Sequence, residues 1–273
     1  MKRAVLAMLL AAVGTAAVAD DSGLSFKGQW RQGVMLIGHA PQGTKIVFDG
    51  HDMMQTLYGT FVIGLDRDEK TPAELQVTLP GQASKTLSYP VTPGKWEIQR
   101  INGLPKGQVN PPEAVMARIH RESQEIRNVR AKSSDLTGFT QHFIWPVHGR
   151  ISSVFGSQRI LDGEPKQPHY GVDVAVPSGT PVKAAADGVV SLVAQDLYFT
   201  GGTLMIDHGH GVQSVYCHLS KITVKTGEAI KQGQVIALSG QSGRATGPNL
   251  HWGVSWFDHH VDAASLSGPM PRR

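Results

Sequence analysis

The chain has 273 residues, enough for two domains with separate cores, and a single cysteine, Cys217, so no intrachain disulfide supports it. Its 26 Lys and Arg stand against 22 Asp and Glu; without Lys2 and Arg3 the balance is 24 against 22. So slight an excess, with no concentrated basic stretch, excludes the electrostatic footprint of a nucleic-acid-binding protein.

The opening "MKRAVLAMLLAAVGTAAVAD" joins a basic start to an apolar run from Ala4 to Val13 and an Ala17-Val18-Ala19 step. This is the pattern of a secretory signal peptide, residues 1–19, with cleavage expected after Ala19. The apolar run is too short to span a bilayer, and no other segment approaches about 18 uncharged apolar residues. No transmembrane segment is therefore expected, and no cysteine sits near the cleavage point to carry a lipid. The expected location is periplasmic or secreted.

Residues 20–104 read as an immunoglobulin-like β-sandwich. The runs "VMLIGHA", "TKIVFDG", "TFVIGLD", "ELQVTLP", "KTLSYPV" and "KWEIQR" recur at the spacing of short antiparallel strands. In "ELQVTLP", Leu75, Val77 and Leu79 alternate with Gln76 and Thr78, as a half-buried strand requires. His39 and His51 have no histidine or acidic partner at ligand spacing and read as surface or turn residues. Residues 105–136 form a helical linker: after "GLPKGQVNPP", the residues Val115, Ile119, Ile126 and Val129 fall on one helical stripe, with basic residues toward the C-terminal end. Arg118, Arg121, Arg127 and Arg130 read as a solvated helix face. "AKSSDLTG" is the polar boundary.

Residues 137–267 change texture to glycine-rich turns between β-branched runs, which predicts a compact all-β domain, followed by a tail at 268–273. Within it His169 and Asp173 are four residues apart, a spacing that puts both on one face of a strand. His251 in "NLHWGV" and His218 in "VYCHLS" belong to two further strands. Imidazole and carboxylate are good zinc ligands, yet an isolated His-x3-Asp is a weak signal. By simple alternation Tyr216 and His218 share one strand face and Cys217 points the other way, as a small buried residue.

The blocks "HYGVDVAVPSGTPVKAAADGVV", "LMIDHGHGVQSVYCHLS" and "GQSGRATGPNLHWGV" together resemble, in order and without a missing block from Trp145 to Asp262, the lysostaphin-type (LytM-like) peptidoglycan zinc metallopeptidases. The resemblance implies an antiparallel β fold with Zn2+ in a groove, His169, Asp173 and His251 as its ligands, and His218 as a catalytic histidine. The family's last motif is His-x-His, whose first histidine assists catalysis; here that position is Asn249. Asparagine donates hydrogen bonds but cannot exchange a proton near pH 7. The metal shell is thus complete, and the departure falls on the catalytic shell.

The remaining histidines read as structural. His208 and His210 in "DHGHG" suit side-chain to backbone bonding in a glycine-rich turn, His259 and His260 in "FDHHVD" a solvated turn, and His148 a turn. Two functions follow. The first is a zinc endopeptidase hydrolysing the peptide cross-links of peptidoglycan, weakened by Asn249. The second is a non-hydrolytic wall-binding protein or activator of a cell-wall hydrolase. Peptidoglycan peptides are the expected partner in both, with a cell-wall or divisome protein as a second partner class. A zinc peptidase for other secreted proteins is a third, weaker reading.

Overall fold

The computed structural model describes residues 23–102 and 111–271. The expected signal peptide, most of the Gly/Pro-rich linker and the last two residues of the tail lie outside the described residues.

The strands β1 (Ser25–Lys27), β2 (Met35–His39), β3 (Lys45–Phe48), β4 (His51–Asp52), β5 (Thr60–Gly64), β6 (Ala73–Thr78) and β7 (Lys85–Tyr89) make two antiparallel sheets, ordered β1-β2-β5 and β4-β3-β6-β7. The alternation in β6 is realised, with Ala73, Leu75 and Val77 buried between exposed Glu74 and Gln76. The last predicted strand of this region, β8 (Ile98–Ile101), joins neither sheet. It pairs in parallel with a strand of the C-terminal half, which carries the chain across to the peptidase-like region.

A single 3-10 turn at Glu113–Val115 leads into α1 (Met116–Arg130). Its stripe is apolar as the periodicity predicts: Val129 and Ile126 pack with Leu192, Met205 and Val215. Arg118 pairs with Glu122 one turn on, and Glu122 accepts from the Tyr198 amide. Arg130 departs from the solvated face, because the helix end sits on the sheet and buries its Nε without a hydrogen-bond partner among the described residues.

The C-terminal strands are β9 (Arg150–Ser153), β10 (Gln158–Leu161), β11 (Glu164–Pro165), β12 (Val172–Ala175), β13 (Pro181–Lys183), β14 (Gly188–Leu197), β15 (Gly201–Gly209), β16 (Val212–Ile222), β17 (Ala229–Ile230), β18 (Val235–Ser239), β19 (Asn249–Trp256) and β20 (His259–Val261), ending in the short α2 (Ala263–Ser267). The main sheet runs β17-β14-β15-β16-β19-β12-β9, and β20 pairs with β19. One face of its centre is core: Val172, Val174, Leu250, Trp252 and Tyr216 are buried. By the period of two, Asp173, Asn249 and His251 face the other way and are only half-buried.

The two halves share one continuous apolar core that includes Leu36, Phe61 and Leu75 as well as Trp252 and Trp256. Their contact is close enough that a Cβ on Gly64 would lie 2.5 Å from Trp256 Cβ. A second junction forms around Trp96. Its ring meets Phe155 edge-on at 5.6 Å, a Cβ on Gly156 would lie 2.2 Å from it, and the Arg67 guanidinium sits 5.5 Å from its centroid. Arg67 Nε also donates to the Gly156 carbonyl at 2.9 Å.

Candidate metal centre

Antiparallel register aligns the site. Ser153 on β9 is opposite Asp173 on β12, Asp173 is opposite His251 on β19, and His251 is opposite Cys217 on β16. Directly paired residues project to the same face, so these four form a row across four strands. His169 enters from the loop before β12. Its Nε2 lies 3.0 Å from Asp173 Oδ1 and 3.0 Å from His251 Nδ1, and the remaining edge, His251 Nδ1 to Asp173 Oδ1, is 2.9 Å. Three donor atoms thus converge in a nearly equilateral triangle.

The His169 ring is held from behind. Its Nδ1 is 3.0 Å from the Val154 carbonyl and 3.1 Å from Ser153 Oγ, and because a carbonyl only accepts, Nδ1 carries the proton. Nε2 is then the nitrogen with a free lone pair, the arrangement by which an outer hydrogen bond fixes a metal-binding tautomer. The backbone does the same work: His169 N–H donates to the Ser157 carbonyl, and Gly156 N–H to the His169 carbonyl, each at 2.8 Å. Burial pushes the Asp173 carboxyl up, but the two imidazoles that face it, His169 and His251, outweigh burial and hold the carboxyl well below its usual range. The imidazoles diverge, since burial pulls His251 down whereas at His169 the Asp173 contact outweighs burial and raises it.

The donor set fits a zinc ion. Ligand atoms about 2.0–2.1 Å from a tetrahedral zinc lie about 3.3 Å from each other, within a few tenths of an ångström of the triangle, and two imidazoles with one carboxylate leave a fourth position open. Gly171, between the two residues contributed by this loop and strand, was missed by sequence reasoning. A Cβ there would stand 2.7 Å from His251 Nε2 and 2.6 Å from the Trp252 carbonyl oxygen. A glycine inside a strand pattern is the signal for such a close approach.

His218 lies beside the triangle, with its ring centroid 6.3 Å from that of His251. Its Nδ1 donates to the Ser242 carbonyl at 2.9 Å, which leaves Nε2 as the lone-pair nitrogen. Simple alternation along β16 fails here. Cys217 is the residue on the metal side of the strand, opposite His251, and Tyr216 is on the core side, opposite Trp252. His218 reaches the same side as Cys217 because its backbone is left-handed at φ 62° and the pairing of β16 is irregular at this end. Burial pushes the Cys217 thiol up to about 12, the state of an inert buried residue. Asn249 is on the face of His251, two residues before it, and its Oδ1 is buried with no partner among the described residues.

Other histidines separate into two groups. His208 is fully buried: Nδ1 donates to the Asp187 carbonyl at 2.7 Å and Nε2 contacts Ser214 Oγ at 2.7 Å, with the Tyr216 hydroxyl next in the chain, and burial pulls its pKa down to about 4. His259 and His260 are not solvated. They lie on β20, covered by the N-terminal half; His260 stacks on Tyr170 at 3.9 Å and its amide donates to Asp66, while His259 Nε2 is 2.9 Å from Asp49 Oδ2. His51, expected at the surface, stacks on Phe257 at 4.0 Å, with Nε2 3.6 Å from Asp258 Oδ1. Apart from the Tyr170 stack, these pairings join residues about two hundred positions apart, which no local spacing rule can find.

Comparison with known proteins gives a consistent match. The profile described as Peptidase family M23 matches residues 167–263. The peptidoglycan DD-endopeptidase ShyA of Vibrio cholerae is 33% identical over 209 residues, covering 76% of this chain and 46% of that protein; ShyB of the same organism is 43% identical over 181 residues, covering 66% and 40%. The chain therefore spans less than half the length of these curated relatives. A crystal structure from Pseudomonas aeruginosa assigned to peptidase M23 superposes with a TM-score of 0.68 at 31% identity, covering 88% of this chain and 96% of that one. The fold and the order of the motif blocks are thus shared over nearly the whole of a solved relative.

Proposed function

Because the chain belongs to peptidase family M23, we propose that it is a zinc endopeptidase that hydrolyses peptide cross-links of peptidoglycan outside the cytoplasm. The observation that carries this is the triangle of His169 Nε2, Asp173 Oδ1 and His251 Nδ1, whose edges are 2.9–3.0 Å. A surface that only bound the wall has no chemical need of it. The names of the Vibrio relatives point the proposal to DD-type cross-links, and the leader at residues 1–19 to the periplasm or exterior.

A zinc ion held by His169, Asp173 and His251 supplies, when bound, a water acidified toward about pH 7 and polarisation of an amide carbonyl. The other residues manage protons and charge. His218, its Nδ1 proton anchored on the Ser242 carbonyl, accepts a proton at Nε2 and returns it to the leaving amine. Asn249 offers amide N–H groups to the developing oxyanion but cannot relay a proton. Val154 and Ser153 keep the His169 ring in its ligating orientation.

A second reading, a binding protein or hydrolase activator, is favoured by Asn249 alone. Purified mature protein, with and without zinc, incubated with peptidoglycan and assayed for soluble fragments by mass separates the two. Zinc-dependent release of peptide fragments is expected, whereas co-sedimentation with wall and no release at any zinc level supports the second reading.

A further inference from the structure

A second group of metal-type donors lies away from the triangle, where two tight turns from opposite halves of the protein meet. The β3–β4 turn supplies Asp49 and His51, and the β19–β20 turn supplies Asp258 and His259. The donor atoms of His51, Asp258 and His259 all lie within 4.8 Å of one another. His51 Nε2 is 3.6 Å from Asp258 Oδ1 and His259 Nε2 is 4.0 Å from the same oxygen; Asp49 Oδ2, 2.9 Å from His259 Nε2, lies outside this group of three.

We propose that His51, Asp258 and His259 form a second binding site for a divalent transition-metal cation such as zinc, one that ties the N-terminal β region to the peptidase sheet.

Three features support it. Two imidazoles and one carboxylate are a donor set suited to such cations, of the same composition as the triangle described above. Neighbouring ligand atoms on a tetrahedral zinc stand about 3.3–3.6 Å apart; the two edges made by Asp258 are 3.6 and 4.0 Å, and its side chain, 81% exposed, has room to rotate inward. The imidazoles are already oriented. His51 is stacked on Phe257 and set edge-on to Trp256 at 5.2 Å. His259 is nearly buried, and its other nitrogen, Nδ1, lies 3.4 Å from Glu69 Oε2, an ion-pair contact rather than a hydrogen bond. Glu69 is itself fixed by the Asp66 and Lys70 amides. The exposed side of His51 and Asp258 leaves a path for entry. Arg130 acts electrostatically on Asp258 from nearby, so weaker binding than at the first site is expected.

The competing occupant is a proton: with no cation, the carboxylates favour imidazolium at His259 against the burial that opposes it. Metal-free full-length mature protein titrated with zinc chloride, with bound metal counted by elemental analysis after gel filtration, decides between them. The parent is expected to bind two equivalents, His51→Ala and Asp258→Asn one each, His251→Ala one, and His251→Ala with Asp258→Asn none. In the His251→Ala background zinc should also raise the melting temperature, and the added Asp258→Asn should abolish that rise. Uptake of a single equivalent by the parent, or a second equivalent that survives both His51→Ala and Asp258→Asn, overturns the proposal. The count needs no hydrolysis, so it stands or falls apart from the function proposed above.

Discussion

Asn249 is where the site's chemistry can be tuned without touching its ligands. It is two residues from His251 on the same face, so Asn249→His puts an imidazole at the groove and is expected to raise turnover on peptidoglycan by about 10–10⁴-fold, the span of general acid–base assistance. Zinc content should not change. Fragment release by the parent, Asn249→His and His218→Ala at equal zinc loading reads this out, and activity that survives His218→Ala contradicts the assignment of the proton relay. The ligands themselves should behave differently: His169→Ala, Asp173→Ala and His251→Ala each remove a corner of the triangle and should each lower zinc occupancy of this site, whereas His218→Ala leaves it intact. Elemental analysis of each variant checks this, with the count at the second cluster subtracted. His208 acts on stability instead. Its folded pKa of about 4 lies below the 6.5 of an ordinary imidazole, so between those values the unfolded chain takes up a proton that the folded protein refuses. Stability is therefore lost as pH falls from 6.5 toward 4, by on the order of 3 kcal/mol, and is fully present above that window. Melting temperatures over this range should fall more steeply for the parent than for His208→Gln.

At the scale of elements, the strands that hold the site depend on close approach. Gly171→Ala places a methyl group against the His251 ring and the Trp252 carbonyl; the strand or the ligand has to move, at a cost of about 1–3 kcal/mol. Both zinc affinity and melting temperature should drop, and an unchanged zinc affinity means the ring is not held by this contact. The strands themselves were legible: β2, β3, β5, β6, β7 and β8 fall in the six runs picked out by alternation, and α1 follows its apolar stripe. The His169, Asp173 and His251 grouping was readable through the family resemblance of the motif blocks, since no local spacing rule brings His251 beside the other two. The side on which Cys217 and His218 project was not, because a left-handed residue at an irregular strand end breaks the period of two. Nor were the burial of His259 and the pairing of His51, which arise only when two halves distant in sequence are packed together.

For the molecule as a whole, the shared core and the β8–β10 pairing mean that the halves do not stabilise independently. A fragment starting at Thr137 should still fold around its own sheet and keep the zinc of the triangle, yet melt below the full mature chain, since it exposes Trp256, Val261 and the loop at Phe155 and Gly156. Circular dichroism melts of the two, with zinc analysis, test this; an unfolded fragment refutes a separately folding peptidase region. The junction at Trp96 has a further implication for engineering. Arg67 holds the Gly156 carbonyl, and the Gly156 amide holds His169, so a residue of the N-terminal half is two hydrogen bonds from a ligand. Transplanting residues 137–267 onto an unrelated N-terminal module would leave that loop with one side open. A chimaera that retains the surface around Arg67 and the segment 94–102 is the one expected to inherit the parent's grip on its metal.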